Sequence, residues 1–522
     1  MTSPRRAPSP TATIALISLP IFIGALDLTV VSAVLPHVIL DLEIPLQTGL
    51  DDAAWIVTGY LLAYSISMTF MGRLSDLHGR RRAYLASLAI FALGSYLVAS
   101  ADGWPTRLAL RSYYSLASGR PDPAYVSLWM LVAARMIQAF GGGAMVPVGM
   151  ALVADLYPPE RRARPLGVIA AVDTAGWVVG HLYGGILVRF WDWRTIFWLN
   201  LPICLLAFLL ILRRLRPDVP TAERGRMDWV GAALITAALA LLIIGLGAGG
   251  EGGESGFSGR QEGLPRYAGP AVAAAVLLTA GFVWRQRRAK DPLLHLSLFR
   301  SRNFSAASLA NFLTGFSLFI AIANVPLFIN TLVAATPAQG AWDSGWMLSA
   351  LTVPMAFAAI PGGWLTERRG YRATAALGLM LAILGFALMT GWDAATSYAS
   401  MAPHLVLTGI GFGLTLAPVA AAVVNSAPPG QRGAASSLVI LFRLVGMTTG
   451  VSSITTYGLQ RADVLTARLL PEGASLAEMA RVGMQVAERV IGETFWVAGL
   501  ICVFALAPVL LLRTAARERE ES

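Results

Sequence analysis

Long apolar stretches alternate with short polar, arginine-rich stretches along almost the whole chain. An α-helix needs about 20 mostly apolar residues to cross the hydrocarbon core of a bilayer. The stretches that approach or exceed this length, numbered in chain order as spans 1 to 14, are 12–40, 53–72, 83–101, 128–154, 166–188, 195–212, 228–248, 268–285, 304–332, 344–365, 373–390, 403–425, 434–459 and 492–512. The pattern therefore predicts an all-α polytopic membrane protein with 14 spans.

Composition supports a membrane protein. Of the 522 residues, 56% are hydrophobic and only 13% are charged, whereas a soluble chain would carry about twice that share of charge. The net charge of +10 would suggest nucleic-acid binding in a soluble protein, but here we attribute it to loops on one side of a membrane and expect no nucleic acid. Cys204 and Cys502 lie inside apolar stretches, so we expect no disulfide framework and no metal site.

The distribution of lysine and arginine predicts the orientation, because these residues are enriched in cytoplasmic loops. With the N-terminus inside, the inner segments hold 27 of the 40 basic residues and the outer segments hold 11. We therefore expect both termini in the cytoplasm and a multi-pass protein of the inner (plasma) membrane. No small-residue cleavage site follows span 1, so we interpret it as a retained helix.

Two loops repeat one pattern. Residues 72–82 read Gly-Arg-Leu-Ser-Asp-Leu-His-Gly-Arg-Arg-Arg, and residues 363–372 read Gly-Trp-Leu-Thr-Glu-Arg-Arg-Gly-Tyr-Arg. In both, an acid, a glycine and an arginine follow the first glycine by four, seven and nine residues. Internal repeats are typical of secondary transporters. The repeat predicts two bundles of six helices with two extra helices between them.

This repeat sets the expected domain boundaries. They are a cytoplasmic N-terminal tail, 1–11; an N-terminal six-helix bundle, 12–212; a linker with two extra transmembrane helices, 213–303; a C-terminal six-helix bundle, 304–512; and a cytoplasmic tail, 513–522.

The first of these loops resembles the signature loop of the major facilitator superfamily. Residues 26–36, with Leu-Asp-Leu-Thr-Val-Val and a later Leu-Pro, resemble the helix 1 motif of its fourteen-helix drug:proton antiporters. Residues 135–143, an Arg-x-x-Gln followed by three glycines, resemble the helix 4 motif. The glycines of residues 167–185 resemble the antiporter motif of helix 5. The resemblance implies the major facilitator fold and transport by alternating access.

Within that group, the nearest likeness is to actinobacterial triacylglyceride and glycolipid exporters that work with a lipid-carrying lipoprotein. The similar stretches are 55–62, 183–184 and 434–447. The chain departs from the antiporter motif at His181, where that motif has proline, and from the helix 4 motif at Ala139, where it has glycine. These departures weaken the analogy to standard drug antiport more than they weaken the fold.

Four ionisable residues lie well inside spans: Asp27, Arg135, Asp173 and Arg443. Charges are expensive in hydrocarbon, so such residues usually face the bundle interior and serve function. The alternative for each is a structural pair that fixes helix packing, and Asp173 could also simply be hydrated near the inner end of span 5. We interpret all four as proton-coupling residues, with Asp27 as the proton carrier and Arg135 as the cation that approaches and leaves it.

The resemblance implies a latch that holds an inner gate closed. Its residues are Gly72, Asp76, Gly79, Arg80, Arg81 and Asp155. Asp76 is placed to accept from a helix N-terminus, where an anion is favoured, and residues 80–82 are placed to meet Asp155. Glu367 is the weaker counterpart of Asp76 in the second loop.

The antiporter motif supplies a further set of candidates. They are Gly167, Gly176, Gly180, His181, Gly184 and Gly185. Glycines four residues apart form a stripe on which another helix packs closely. The resemblance implies that helix 5 packs close to the substrate path between the two halves, so we expect this stripe to be also a sliding surface; the alternative is simple close packing. His181 is either a buried neutral histidine or a coupling residue.

Two outer segments stand out. Residues 102–127 are expected to form a long loop rich in aromatic residues. Residues 460–491 contain the capping box Ser475-Leu-Ala-Glu478, followed by apolar residues at helical spacing. This segment is either a short amphipathic helix on the outer leaflet or an extension of the last span. Either outer segment is a candidate contact for a lipid acceptor.

Together these features predict a proton-driven exporter of hydrophobic or amphiphilic compounds, with lipid and multidrug substrates both open. An uncoupled lipid flippase that hands lipid to an outer lipoprotein, or a nutrient importer, are the alternatives. The chain lacks a Gly-x-x-x-x-Gly-Lys-Ser/Thr loop and a His-Glu-x-x-His motif, so we do not expect an enzyme or a cofactor. The expected partners are protons, membrane lipids, an apolar substrate and a periplasmic or outer-leaflet lipoprotein.

Overall fold

A computed structural model describes residues 10–44, 50–116, 121–215, 225–246, 267–334, 336–471 and 473–513, which are almost entirely helical and contain no β-strand. The prediction of an all-α protein is confirmed. The expected tails lie mostly outside the described residues. The main helices are α1 (Pro10–Asp41), α2 (Leu50–Ala53), α3 (Trp55–His78), α4 (Arg80–Ala99), α5 (Trp104–Leu116), α6 (Pro123–Leu156), α7 (Ala163–Phe190), α8 (Arg194–Arg214), α9 (Trp229–Gly245), α10 (Ala268–Arg288), α11 (Arg302–Phe328), α12 (Pro337–Met389), α13 (Tyr398–Asn425), α14 (Arg432–Leu469) and α15 (Leu476–Leu510).

Length and composition identify the helices able to cross a bilayer. In the described part of the chain, 12 helical stretches are long and apolar enough. One of these holds α12, whose 53 residues are interrupted by non-helical backbone at Gly370. Helix α9 is apolar but has only 17 residues. The count of 14 spans and the side of each terminus stay predictions.

The helices form two bundles and a pair. In the N-terminal bundle (α1, α3, α4, α6, α7 and α8), α6 packs between α3 and α4, and α1 packs along α7. In the C-terminal bundle (α11 to α15), α12 packs along α13, and α11 packs between α14 and α15. Helices α9 and α10 pack on each other, and α9 lies against α3, where the rings of Phe70 and Trp229 are 5.5 Å apart. The extra pair therefore rests on the N-terminal bundle.

One of the two outer segments differs from the expectation. Residues 102–127, predicted as a loop, contain the 13-residue helix α5. Ser475 and Glu478 form the predicted capping box, but the helix they start is α15 itself, which runs on to Leu510 without a break. Residues 460–469 and 476–491 thus extend α14 and α15, as the second of the two alternatives predicts, and apolar positions of the two extensions pack on each other. Helix α5 is too polar to be recognised in the sequence as an apolar span.

Glycines set the closest helix pairs, and the two bundles use them alike. On α7, a Cβ at Gly176 would meet the carbonyl oxygen of Phe22 on α1 at 2.6 Å. On α14, a Cβ at Gly450 would meet the carbonyl oxygen of Phe316 on α11 at 2.7 Å. Small residues at such positions let backbones approach. The pairs α1–α7 and α11–α14 therefore occupy equivalent places in the two halves.

Candidate functional site

A buried ion pair joins α1 to α6. Arg135 Nη1 donates to Asp27 Oδ2 at 2.7 Å and to Gln138 Oε1 at 2.6 Å. Gln138 Nε2 donates to Asp27 Oδ1 at 2.9 Å and to Ser95 Oγ at 2.9 Å. Asp27 and Gln138 are 0% exposed and Arg135 is 1% exposed. The structure thus brings together the two residues that were interpreted as a proton carrier and its cation.

Aromatic rings enclose the Arg135 guanidinium. Its central carbon lies 4.0 Å from the ring centroid of Tyr60 and 5.6 Å from that of Phe197. A cation over a ring face is stabilised by the ring quadrupole, most strongly where water is excluded. Sequence reasoning did not assign Tyr60 or Phe197 a role, because aromatic residues in apolar spans are common and only their position around Arg135 distinguishes them.

A second buried ion pair joins the two bundles. Arg443 Nη2 on α14 donates to Asp173 Oδ2 on α7 at 3.2 Å, and the Arg443 guanidinium lies 6.0 Å from the ring of Trp177. Asp173 is 4% exposed, so the idea that it is hydrated near a helix end is wrong. The residues lie 10 and 11 positions into their helices, about 15 Å along at 1.5 Å per residue. That is half of the ~30 Å hydrocarbon core.

The first repeat loop caps a helix of the other bundle. Asp76 accepts from the backbone N–H of Gly433 at 3.0 Å and of Ala434 at 2.9 Å, in the first turn of α14. Arg80 forms ion pairs with Asp76 at 2.5 Å and with Asp155 at 3.1 Å. A carboxylate is favoured at a helix N-terminus, where N–H groups lack partners in the helix. Asp76 therefore ties α3 to α14.

The two glycines of this loop are required for different structural reasons. A Cβ at Gly72 would collide with Ser437 Oγ and would meet the carbonyl oxygen of Gly433 at 2.7 Å, so α14 approaches only because Gly72 has no side chain. Gly79 has φ of 100°, which L side chains rarely adopt. The first glycine permits the contact between bundles, and the second permits the turn between α3 and α4.

The second repeat loop makes the equivalent contact in the reverse direction. Glu367 Oε1 accepts from the backbone N–H of Arg164 at 3.1 Å, in the first turn of α7. A Cβ at Gly363 would meet the carbonyl oxygen of Ala163 at 2.6 Å, and Gly370 has φ of 83°. Each bundle thus caps a helix of the other with the acid of its own loop. Glu367 makes this one described bond, whereas Asp76 accepts two backbone bonds and an ion pair.

A family model described as Major Facilitator Superfamily matches residues 17–451 and 307–522. The chain belongs to this superfamily. The prediction from the signature loop and the internal repeat is confirmed.

Two curated members resemble the chain over almost its whole length. A triacylglyceride transporter from Mycobacterium tuberculosis is 32% identical over 528 residues, which cover 97% of this chain and 95% of that protein. A probable triacylglyceride transporter from Mycobacterium leprae is 30% identical over 523 residues, which cover 97% and 96%. The predicted likeness to triacylglyceride transporters is confirmed.

Solved structures of the superfamily share the fold at low identity. A proton:xylose symporter superposes with a TM-score of 0.58 at 15% identity, covering 95% of this chain and 94% of that one. A human organic anion transporter superposes with a TM-score of 0.57 at 16% identity, covering 95% and 100%. At this identity the likeness concerns the fold alone.

Among the described residues, the hydrogen bonds that join the two bundles lie between the middle of the helices and one end of the molecule. We call this the loop end, since residues 72–82 and 363–372 lie there. At that end Arg162 Nη1 donates to Asn425 Oδ1 at 2.7 Å, and Asn425 Nδ2 donates to the carbonyl oxygen of Pro159 at 3.0 Å. Arg432 joins Asp155 at 2.7 Å. The structure is therefore closed at the loop end.

The antiporter-motif glycines do not form the expected sliding surface. Gly176 and Gly180 pack on α1 inside the N-terminal bundle, and Gly185 has no heavy atom within 4 Å of an added Cβ. Gly167 meets the C-terminal bundle, where a Cβ would lie 2.5 Å from the carbonyl oxygen of Ala359. Gly184 is buried. The expectation is wrong for the stripe because a one-sided glycine pattern does not say which neighbour fills it.

One further predicted residue, Arg81, is placed differently from the expectation. Arg81 donates to the carbonyl oxygen of Leu212 at 2.5 Å, at the end of α8 in its own bundle. It is thus bound to its own bundle by this hydrogen bond, while Arg80 has the predicted contact with Asp155. The side chain of His181 lies outside the described structure.

Proposed function

We propose that the chain is a proton-coupled exporter of triacylglyceride-like apolar lipids that works by alternating access in the plasma membrane. The observation that carries this proposal is the fully buried network of Asp27, Arg135 and Gln138. Removing one partner from a buried ion pair is strongly destabilising, so proton uptake by Asp27 must be linked to movement of Arg135. Such linkage is what a proton-driven carrier requires.

The pair of Asp173 and Arg443 connects this chemistry to the movement of the bundles. It is held across the bundle interface at mid-depth, beyond the closed loop end. In a low-dielectric site its attraction persists only while Asp173 is ionised. Proton uptake by Asp173 releases Arg443 and weakens the contact between α7 and α14. Opening at the loop end also requires the caps at Asp76 and Glu367 to separate.

Four amide side chains within the helices already have hydrogen-bond partners in the protein, which favours an apolar substrate. The amide of Asn311 donates to the carbonyl oxygen of Val439, that of Asn324 to Ile320 and that of Asn425 to Pro159. Gln138 is held by Arg135 and Asp27. These side chains are committed to the protein, so a polar substrate would find few partners. An apolar lining binds by burial of apolar surface.

The names of the curated relatives favour lipid over drug as the substrate class. A lipid of this class is insoluble in water, so we further propose that a periplasmic or outer-leaflet lipoprotein accepts it. We also propose that the loop end faces the cytoplasm, as the arginine distribution predicts.

Transport by proteoliposomes tests the proposal. A fluorescent triacylglyceride should move to an acceptor faster when a pH gradient is imposed, and an ionophore that collapses the gradient should abolish the difference. Equal transfer with and without the gradient would support the uncoupled flippase instead. Saturable uptake of a sugar or an amino acid, with no response to lipid, would contradict an apolar cargo. Gradient-driven transport of a lipophilic cation but not of the lipid would favour multidrug efflux.

A further inference from the structure

A cavity of about 470 Å³ opens on the outside of the C-terminal bundle, away from the buried ion pairs. It lies between α15 and the connection from α12 to α13. Gln485, Glu488, Gly492 and Trp496 line it at intervals of three and four residues, so they share one face of α15. Its volume lies within the range of small-molecule sites.

The depth of this cavity follows from helix length. Helix α12 resumes after Gly370 at the loop end and runs to Met389, which spans about 28 Å at 1.5 Å per residue. That is one thickness of the hydrocarbon core. Thr390, which lines the cavity, therefore lies at the membrane–water interface opposite the loop end. Trp496 is 61% exposed at this level, as is typical of interfacial tryptophan.

The charged side chains of the cavity differ in their hydrogen-bond and ion-pair partners. Glu493 accepts from Arg461 Nε at 2.8 Å and from Tyr457 Oη at 2.8 Å. Arg489 reaches Glu493 only at 3.4 Å, and its side chain is 62% exposed. Glu488 is half-buried, and within the described residues neither it nor Gln485 has a hydrogen bond or ion pair. The cavity therefore presents an unpaired carboxylate and amide beside a loosely held guanidinium.

The floor of the cavity is rigid. Trp392 is 4% exposed, its indole N–H donates to His404 Nδ1 at 3.0 Å, and its ring lies 5.4 Å from the rings of Phe328 and Phe495. A ligand would therefore meet a fixed aromatic surface below and polar groups of α15 at the side.

We propose that this cavity binds the headgroup of phosphatidylethanolamine from the adjacent leaflet. Glu488 and Gln485 accept hydrogen bonds from the ammonium group, Arg489 binds the phosphate, and the acyl chains lie along the exposed face of Trp496. A primary ammonium has three N–H donors for these acceptors, whereas a choline group has none. An anionic headgroup without an amine leaves Glu488 unpaired. This lipid is a bound regulator or structural lipid, distinct from the transported cargo, and the site does not depend on the proposed function.

Lipid titrations of the purified full-length protein in detergent, read by native mass spectrometry, test the site. Dioleoyl phosphatidylethanolamine should bind more tightly than the phosphatidylcholine and phosphatidylglycerol with the same chains. Glu488→Gln should lower its affinity about tenfold, the loss expected for one charged hydrogen bond. The matched control Asp463→Asn removes an exposed carboxylate from α14 outside the cavity and should leave the affinity unchanged.

A second variant and two competition measurements, with soluble phosphoethanolamine and with triacylglyceride, test the proposal further. Gln485→Leu removes an acceptor without changing charge and should also weaken binding, with an unchanged melting temperature as the check on folding. Soluble phosphoethanolamine should compete only weakly, since it lacks acyl chains; full competition at equal concentration would assign the cavity to a free metabolite. Equal affinity for the three lipids, no effect of Glu488→Gln, or displacement by triacylglyceride would each overturn the proposal.

Discussion

Arg443 and Asp173 lie 270 positions apart in the chain, yet their side chains meet at 3.2 Å in the middle of the bundle interface. One belongs to α14 and the other to α7, and each of these helices is capped at its first turn by an acid of the opposite bundle. The same two helices therefore carry the caps at the loop end and the ion pair at mid-depth. A change of charge at the pair acts on the helices that the caps hold.

A double-mutant cycle should show that this pair is a linked unit. Asp173→Leu alone leaves a buried, unpaired Arg443, which we expect to cost about 3–5 kcal/mol of stability. The double variant Asp173→Leu/Arg443→Met removes both charges and should regain most of that loss in thermal unfolding. It should still fail in gradient-driven transport. Losses that simply add, measured with the same unfolding assay, would show that the two residues do not interact.

Asp27→Asn should separate coupling from binding. The amide keeps the shape of the carboxyl group but takes up no proton, so export driven by a pH gradient should be abolished while lipid binding persists. Proteoliposome transport and lipid titration measure the two properties on one preparation. Asp463→Asn, an exposed carboxylate of the α14 extension, is the control and should behave as wild type. Concentrative export by a stable Asp27→Asn protein would contradict the role of Asp27 as proton carrier and would favour Asp173 in that role.

Asp76→Asn should slow transport with little change in substrate affinity, because Asp76 lies at the loop end and not among the mid-depth residues. Loss of the anion from the first turn of α14 and from its ion pair with Arg80 should lower the maximal rate by about tenfold. Glu367→Gln should have a smaller effect, since Glu367 makes one described bond. Rates and half-saturation concentrations from the same assay test both variants; a collapse in affinity would contradict the latch.

Two glycine variants should give contrasting results. Gly180→Ala places a methyl group 2.6 Å from the carbonyl oxygen of Leu26 on α1, so it should destabilise the N-terminal bundle by about 1–3 kcal/mol. Gly167→Ala meets Ala359 of α12 instead and should disfavour the state closed at the loop end. Spin-label distances between the bundles at that end should lengthen for Gly167→Ala only. Lengthening for Gly180→Ala would restore the stripe as a sliding surface.

Much of this architecture is readable in the sequence because a membrane imposes local rules. A helix that crosses the hydrocarbon core must satisfy its backbone hydrogen bonds within itself and carry mostly apolar side chains. Each span can therefore be recognised from its own residues, and the all-α class follows from them. The acid, the two glycines and the arginine of each repeat loop are also readable, since the cap and the turn depend on a few adjacent residues. Segments outside the hydrocarbon need not be apolar throughout, which is why the sequence does not predict helix α5 and leaves two alternatives open for residues 460–491.

Partners, in contrast, are decided only by the packed structure. The sequence by itself determined that four ionisable residues lie in apolar spans, namely Asp27, Arg135, Asp173 and Arg443. It did not determine which acid pairs with which arginine. Tertiary packing put Asp27 with Arg135 inside one bundle and Asp173 with Arg443 across two. It likewise turned the stripe of Gly176 toward α1. Helix spacing defines the face on which a residue lies, whereas the contact of that face depends on the whole arrangement of helices, to which distant parts of the chain contribute.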